Sequence, residues 1–105
     1  MQKHKGTITA VGENVGIATQ GTQKASIELA WTPVTGDTIE FEGQAHPEGS
    51  WGSIEGFLMS DIDGTGATSA TDSGIWMFNV HGISRIRARA SVLVAASVSV
   101  KIYAE

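Results

Sequence analysis

The chain has 105 residues, a length that suits one domain and is too short for two. Apolar types make up 41% and charged types 17%, which excludes a disordered chain and leaves a folding unit with a thin core. Seven Lys+Arg against eleven Asp+Glu give a net charge of -4, the wrong sign for a nucleic-acid backbone binder. The lack of cysteine excludes disulfides, thiolate metal sites and a cysteine nucleophile.

In chain order, residues 1–5 are polar and basic and read as an N-terminal arm, too polar to pack in a core. No apolar stretch of about 7–15 residues follows, so no secretory signal is read there. No later run is long enough to cross a bilayer, and a soluble product is expected. Residues 6–105 read as a single β-sandwich domain. Glycines, serines and threonines punctuate short apolar runs about every 8–12 residues, the rhythm of antiparallel sandwiches and barrels. Strands are predicted over 7–11 and 15–19. The stretch 25–31 alternates so that Ile27, Leu29 and Trp31 share one face while Ser26 and Glu28 share the other. Pro33 ends it, and a turn at Gly36-Asp37 leads into a strand over 38–42 with Ile39 and Phe41 inward.

Residues 43–52 read as a loop closing onto a strand over 53–59. The stretch 61–74 carries no burial pattern and is predicted to be an exposed contact loop. Residues 75–80 form an apolar strand with Trp76 and Phe78 on one face. His81-Gly82 turns into a strand over 83–91, with Ile86, Ala88 and Ala90 on one face and Arg85, Arg87 and Arg89 on the other. A last strand spans 97–104, with Val98, Val100 and Ile102 inward and Ser99, Lys101 and Tyr103 outward. Only 92–96 has the composition of a helical turn. About eight strands in one antiparallel sandwich, connected in Greek-key or jelly-roll fashion, follow from this pattern, because each alternating strand buries one face and wets the other.

Several residue groups are candidates for contact. The arginine row is a cationic stripe about 13 Å long at roughly 3.3 Å per residue. It suits a carboxylate-rich or sulfated partner through bidentate guanidinium contacts, or equally Glu28, Glu40, Glu42 or Glu55 of neighbouring strands. Asp61 and Asp63, with Asp72 nearby, suggest a cation loop. The third ligand position of a helix-flanked calcium loop is missing, because Gly64 and Thr65 stand there, so turn chemistry is the preferred role. Trp31 and Trp76 fall on apolar strand faces, whereas Trp51 sits between Gly49 and Gly52 and is a candidate contact residue. His4, His46 and His81 stand far apart, no serine occupies a nucleophile elbow, and neither metal nor cofactor nor catalytic residue is assigned.

The stretches Gly6-Thr7-Ile8-Thr9-Ala10, Ala25-Ser26-Ile27-Glu28-Leu29, Asp37-Thr38-Ile39-Glu40-Phe41-Glu42-Gly43, Gly74-Ile75-Trp76-Met77-Phe78-Asn79-Val80, Arg85-Ile86-Arg87-Ala88-Arg89-Ala90 and Ser97-Val98-Ser99-Val100-Lys101-Ile102 together resemble β-rich virion proteins of tailed bacteriophages. The resemblance spans nearly the whole chain and describes a scaffold without an active site. It departs at Val92-Leu93-Val94-Ala95-Ala96, where those proteins usually carry a small-residue turn, and an apolar contact surface is expected there. The resemblance implies a non-catalytic structural part of a phage particle. The module fills the chain without a fibre shaft, so a capsid decoration protein is expected, clamping the major capsid protein or other virion proteins as a homo-oligomer, a trimer foremost. A receptor- or glycan-binding module of a tail or baseplate is the alternative. Neither nucleic acid nor membrane is expected as a partner. The contact residues expected on this reading are Lys3 and Lys5 in the arm, Trp51, Asp61, Asp63, Arg85, Arg87 and Arg89.

Overall fold

Alternation of apolar and polar residues becomes alternation of inward and outward side chains on two sheets. The computed structural model describes residues 2–61 and 64–105. Its strands are β1 (Gln2–Ile8), β2 (Asn14–Ala18), β3 (Lys24–Ala30), β4 (Thr38–Gln44), β5 (Gly52–Ser53), β6 (Phe57–Leu58), β7 (Ser69–Ala70), β8 (Gly74–Asn79), β9 (Arg85–Val92) and β10 (Val98–Ala104). The first sheet has the order β1-β10-β3-β8-β6. The second has the order β2-β9-β4-β5, with β7 also paired to β4, and every pairing is antiparallel. The chain passes from one sheet to the other at every connection except β4 to β5. The pairing is nested: β1 meets β10, β2 meets β9 and β3 meets β8.

Between the sheets lies one core. The first sheet contributes Ile8, Ile27, Leu29, Trp76, Phe78, Val98, Val100 and Ile102, and the second contributes Val15, Ile17, Ile39, Phe41, Ile86, Ala88 and Ala90. These are the inward positions that the alternation assigns. Phe41, fully buried on β4, reaches across to two aromatic rings of β8. Its centroid lies 5.3 Å from that of Trp76 at a tilt of 49°, and 5.1 Å from that of Phe78 in an edge-on arrangement at 73°. Such tilted geometries set the positive edge of one ring toward the negative face of another, adding about 0.5–1.5 kcal/mol per pair beyond the area buried.

Four expectations need correction. Gln2–Lys5 are no separate arm: they form the first half of β1, paired in continuous register with β10 from Gln2↔Ala104 to Ile8↔Val98. Backbone hydrogen bonds to a neighbouring strand hold them, which side-chain polarity does not reveal. The strand expected over 53–59 is broken into β5, β6 and the 3-10 turn Met59–Asp61. At Gly56 a β-carbon would lie 2.5 Å from the Phe78 ring, so the backbone crosses an aromatic face there where no side chain fits. The second half of the loop expected over 61–74 is tied down. Gly56 and Ala67 exchange both backbone hydrogen bonds at 2.8 and 2.9 Å, Phe41 N–H donates to Thr68 O at 2.9 Å, and β7 pairs with β4. The stretch 92–96 makes no helical turn: Val92 ends β9, Leu93 packs on the core, and Val94 is exposed.

That last segment is held by Asp37. Gly36, with φ at 98°, closes a turn in which Asp37 N–H donates to Val34 O at 2.9 Å. The Asp37 carboxylate accepts from Val34 N–H at 2.9 Å, from Val94 N–H at 2.7 Å and from the Trp31 indole N–H at 3.3 Å. The backbone donors of Val34 and then Val94 hold its carboxyl below the ordinary aspartate range, against the opposing effect of desolvation.

Truncating Phe41 to alanine removes the contact shared by the two sheets and is expected to cost about 3–5 kcal/mol, a large share of a small domain's stability. Phe41→Leu is expected to remain folded with a lower Tm. Thermal denaturation followed by circular dichroism checks both, and an unchanged Tm in Phe41→Ala contradicts the bridging role.

Candidate functional site

With the core between the sheets, the two outer faces carry the chemistry. On the second sheet, β9 turns Arg85, Arg87 and Arg89 outward, as alternation requires. Strand register sets Arg87 opposite Glu42 and Arg89 opposite Glu40 on β4. Arg87 Nε donates to Glu42 Oε1 at 2.8 Å. Arg89 grips the same carboxylate with two donors, Nε to Oε1 at 3.0 Å and Nη2 to Oε2 at 3.1 Å. Glu40 accepts from Ser91 Oγ at 3.0 Å. The Trp51 ring lies under the Arg87 guanidinium, with Cζ 4.0 Å from the ring centroid, a stacked cation–π contact. Gly16 makes room on the other flank, since a β-carbon there would sit 2.8 Å from that of Arg87 and 2.6 Å from Ile86 O.

Partial burial pushes the Glu42 carboxyl upward, but the hydrogen bonds and charges of Arg89 and Arg87 outweigh it and hold the group below its ordinary value. The same contact raises Arg89. Two expected contact residues, Trp51 and Arg87, are thus brought together, and Arg87 and Arg89 are spent on an internal carboxylate. Of the three arginines, Arg85 alone is exposed and the other two are half-buried, and no carboxylate lies within ion-pairing distance of Arg85 among the described residues.

Lys3 and Lys5 stand exposed on edge strand β1, and Asp61 ends the 3-10 turn after β6, its carbonyl accepting from Gly64 N–H at 3.0 Å. Asp72 accepts the N–H of Ser73 at 2.7 Å, a turn contact, and Ser73 Oγ in turn donates to Trp31 O at 2.8 Å. Asp63 lies outside the described residues.

The outer face of the first sheet also holds a surface that the sequence reading passed over. Strand register lays two neighbouring rows across it. One runs Lys3, Tyr103, Ser26, Met77, Phe57, and the other runs Lys5, Lys101, Glu28, Ile75. Each row passes from basic at the β1 edge to apolar at β8 and β6. Phe57, Met59 and Met77 are 38%, 49% and 38% exposed. A groove of about 670 Å³ lies over this face, lined by Lys3, Lys5, Lys101, Tyr103, Ile75 and Met59 among others. The signal was present in the sequence: on β8 the outward positions Ile75 and Met77 are apolar, where alternation calls for polar residues.

The fold is shared with two proteins of known structure. The crystal structure of the SPBc2 prophage-derived protein YomS superposes with a TM-score of 0.74 at 16% identity, over 99% of this chain and 95% of that one. That of the PBSX exported protein XepA superposes with a TM-score of 0.73 at 18% identity, over 99% of this chain and 38% of that one, so this chain corresponds to a part of XepA. No protein-family model and no curated protein sequence matches this chain. The class thus defined is that of two-sheet antiparallel β-sandwiches, the fold that this chain shares with these two structures.

Glu42→Gln removes the charge shared by Arg87 and Arg89 and is expected to destabilise the fold by about 1–3 kcal/mol. Glu42, Asp37 and Glu13 all titrate below their ordinary values in the fold, so their contribution is complete above about pH 5 and is lost as pH falls through the lower folded values. A flatter loss of Tm between neutral and acid pH in Glu42→Gln than in the parent chain, measured by thermal melts across pH, is the expected outcome. Parallel curves contradict it.

Proposed function

We propose that this protein is a non-catalytic structural component of a bacteriophage particle, a capsid decoration protein that binds the assembled shell. The observation that carries the reading is the end-to-end likeness to a prophage-derived protein of nearly the same length. The nested pairing of the two sheets supports it by providing a two-layer plate with both outer faces open to contact. Adhesion through such a face stabilises the assembled state by mass action, since a protein that binds the shell and not its separated subunits shifts the equilibrium toward the shell. A symmetric ring of copies, a trimer foremost, multiplies the effect by engaging several sites at once.

The surfaces favour the shell over a glycan. Trp51, the aromatic expected to stack on a sugar, is half-buried and its ring is already occupied by Arg87. The large apolar side chains exposed over the first sheet are two flexible methionines and an edge phenylalanine, suited to a protein surface.

Particles of the phage that encodes the chain are to be separated into heads and tails and probed with an antibody to it, and purified protein added back to heads stripped of it. The expected result is signal in the head fraction and saturable re-binding. Signal confined to tails overturns the decoration role, and its absence from particles overturns the structural reading as a whole.

A further inference from the structure

The groove on the first sheet contains an unfavourable arrangement that folding alone does not require. In the register of β1 and β10, Lys5 stands directly opposite Lys101, and Lys3 lies two positions along the same edge. Like charges directly opposite one another on a sheet destabilise it. Glu28 faces Lys101 from β3, yet no carboxylate comes within ion-pairing distance of Lys3, Lys5 or Lys101 among the described residues. The chain as a whole carries a charge of -4, so this local cluster opposes the sign of the molecule. Beyond the lysines the groove crosses Ser26 and Glu28 of β3 before its floor turns apolar at Ile75 and Met59.

We infer that this groove is a docking site for an extended acidic segment of a partner protein, with carboxylates over Lys3, Lys5 and Lys101 and an apolar side chain on Ile75 and Met59. The inference rests on the proposed role in that it names the surface by which the chain grips its partner. Charge complementarity selects the occupant: an anionic segment relieves the Lys5–Lys101 apposition, whereas a second copy meeting this face with its own would set lysine against lysine. Shape selects a chain segment over a flat anionic lipid surface. The open groove of about 670 Å³ runs from the lysines of β1 and β10 across β3 to Ile75 and Met59, a path that the alternating side chains of an extended segment can follow.

The test uses the full chain, a short labelled peptide alternating glutamate with leucine, its glutamine counterpart, and vesicles containing phosphatidylserine. Expected are saturable binding of the glutamate peptide that weakens as salt rises, no binding of the glutamine peptide, and a loss of about tenfold or more in the double variant Lys5→Gln, Lys101→Gln. Lys5→Gln alone is expected to keep or raise the Tm of the free protein while weakening peptide binding, a pairing of effects that a merely structural lysine does not produce. Equal binding of both peptides, full binding by the double variant, or binding to the vesicles with none to the peptide overturns the inference. Head binding by the parent chain that persists in the double variant overturns the groove and leaves the decoration role standing. Peptide binding without head binding does the reverse.

Discussion

The contact between Phe41 and the two aromatic rings of β8 is the constraint on which the rest of the molecule depends. It joins a strand of the second sheet to a strand of the first, and so fixes how the two outer faces are held apart and oriented. Everything that the surface presents follows from which side chains this core leaves outside. On β4, burial of Ile39 and Phe41 turns Glu40 and Glu42 outward toward the arginines of β9. On β8, burial of Trp76 and Phe78 turns Ile75 and Met77 outward. A small domain has little stability to spare, so a core built on a few large interlocking rings is an economical solution.

The two outer faces differ in how their charges are resolved. On the second sheet, Glu42 gathers Arg87 and Arg89, and Trp51 covers Arg87. That face is satisfied internally, apart from Arg85. On the first sheet, the lysines of β1 and β10 face one another across a strand pair, with a run of exposed apolar side chains on the far side of β3. On the docking inference proposed above, the second sheet's face is a structural surface and the first sheet's face is the one that meets a partner. Lysines on β1 also serve the sheet itself, since charged residues on an exposed edge discourage indiscriminate strand pairing.

Much of this was legible in the residues. Strict alternation identified the inward sets of β3, β4, β9 and β10, and a local apolar run identified β8. The outward arginine row was read correctly, and a glutamate of a neighbouring strand as its partner was foreseen as one of two roles. The pairing of Gln2–Lys5 with β10 was not legible, because main-chain hydrogen bonding accepts any side chain that an edge strand can carry. The anchoring of Val94 by Asp37 was also hidden. Asp37 was read as turn chemistry, which holds, but its second function spans 57 positions along the chain and depends on the sheets being assembled. The break at Gly56 was missed because its cause, the Phe78 ring, lies on another strand. The apolar outward positions of β8 were visible but indistinct, because Ile75 and Met77 alternate with Trp76 and Phe78 in one continuous apolar run that reads as buried on both faces.

The account makes the first sheet's outer face the adhesive side of a two-layer plate. An electron-microscopy map of the particle in which this chain can be placed tests that claim most directly. The account predicts density from a neighbouring protein over Lys3, Lys5, Lys101 and Ile75, with the arginine face of the second sheet turned away from it. A map in which the first sheet's outer face looks into solvent while the Trp51 face meets the neighbour contradicts it.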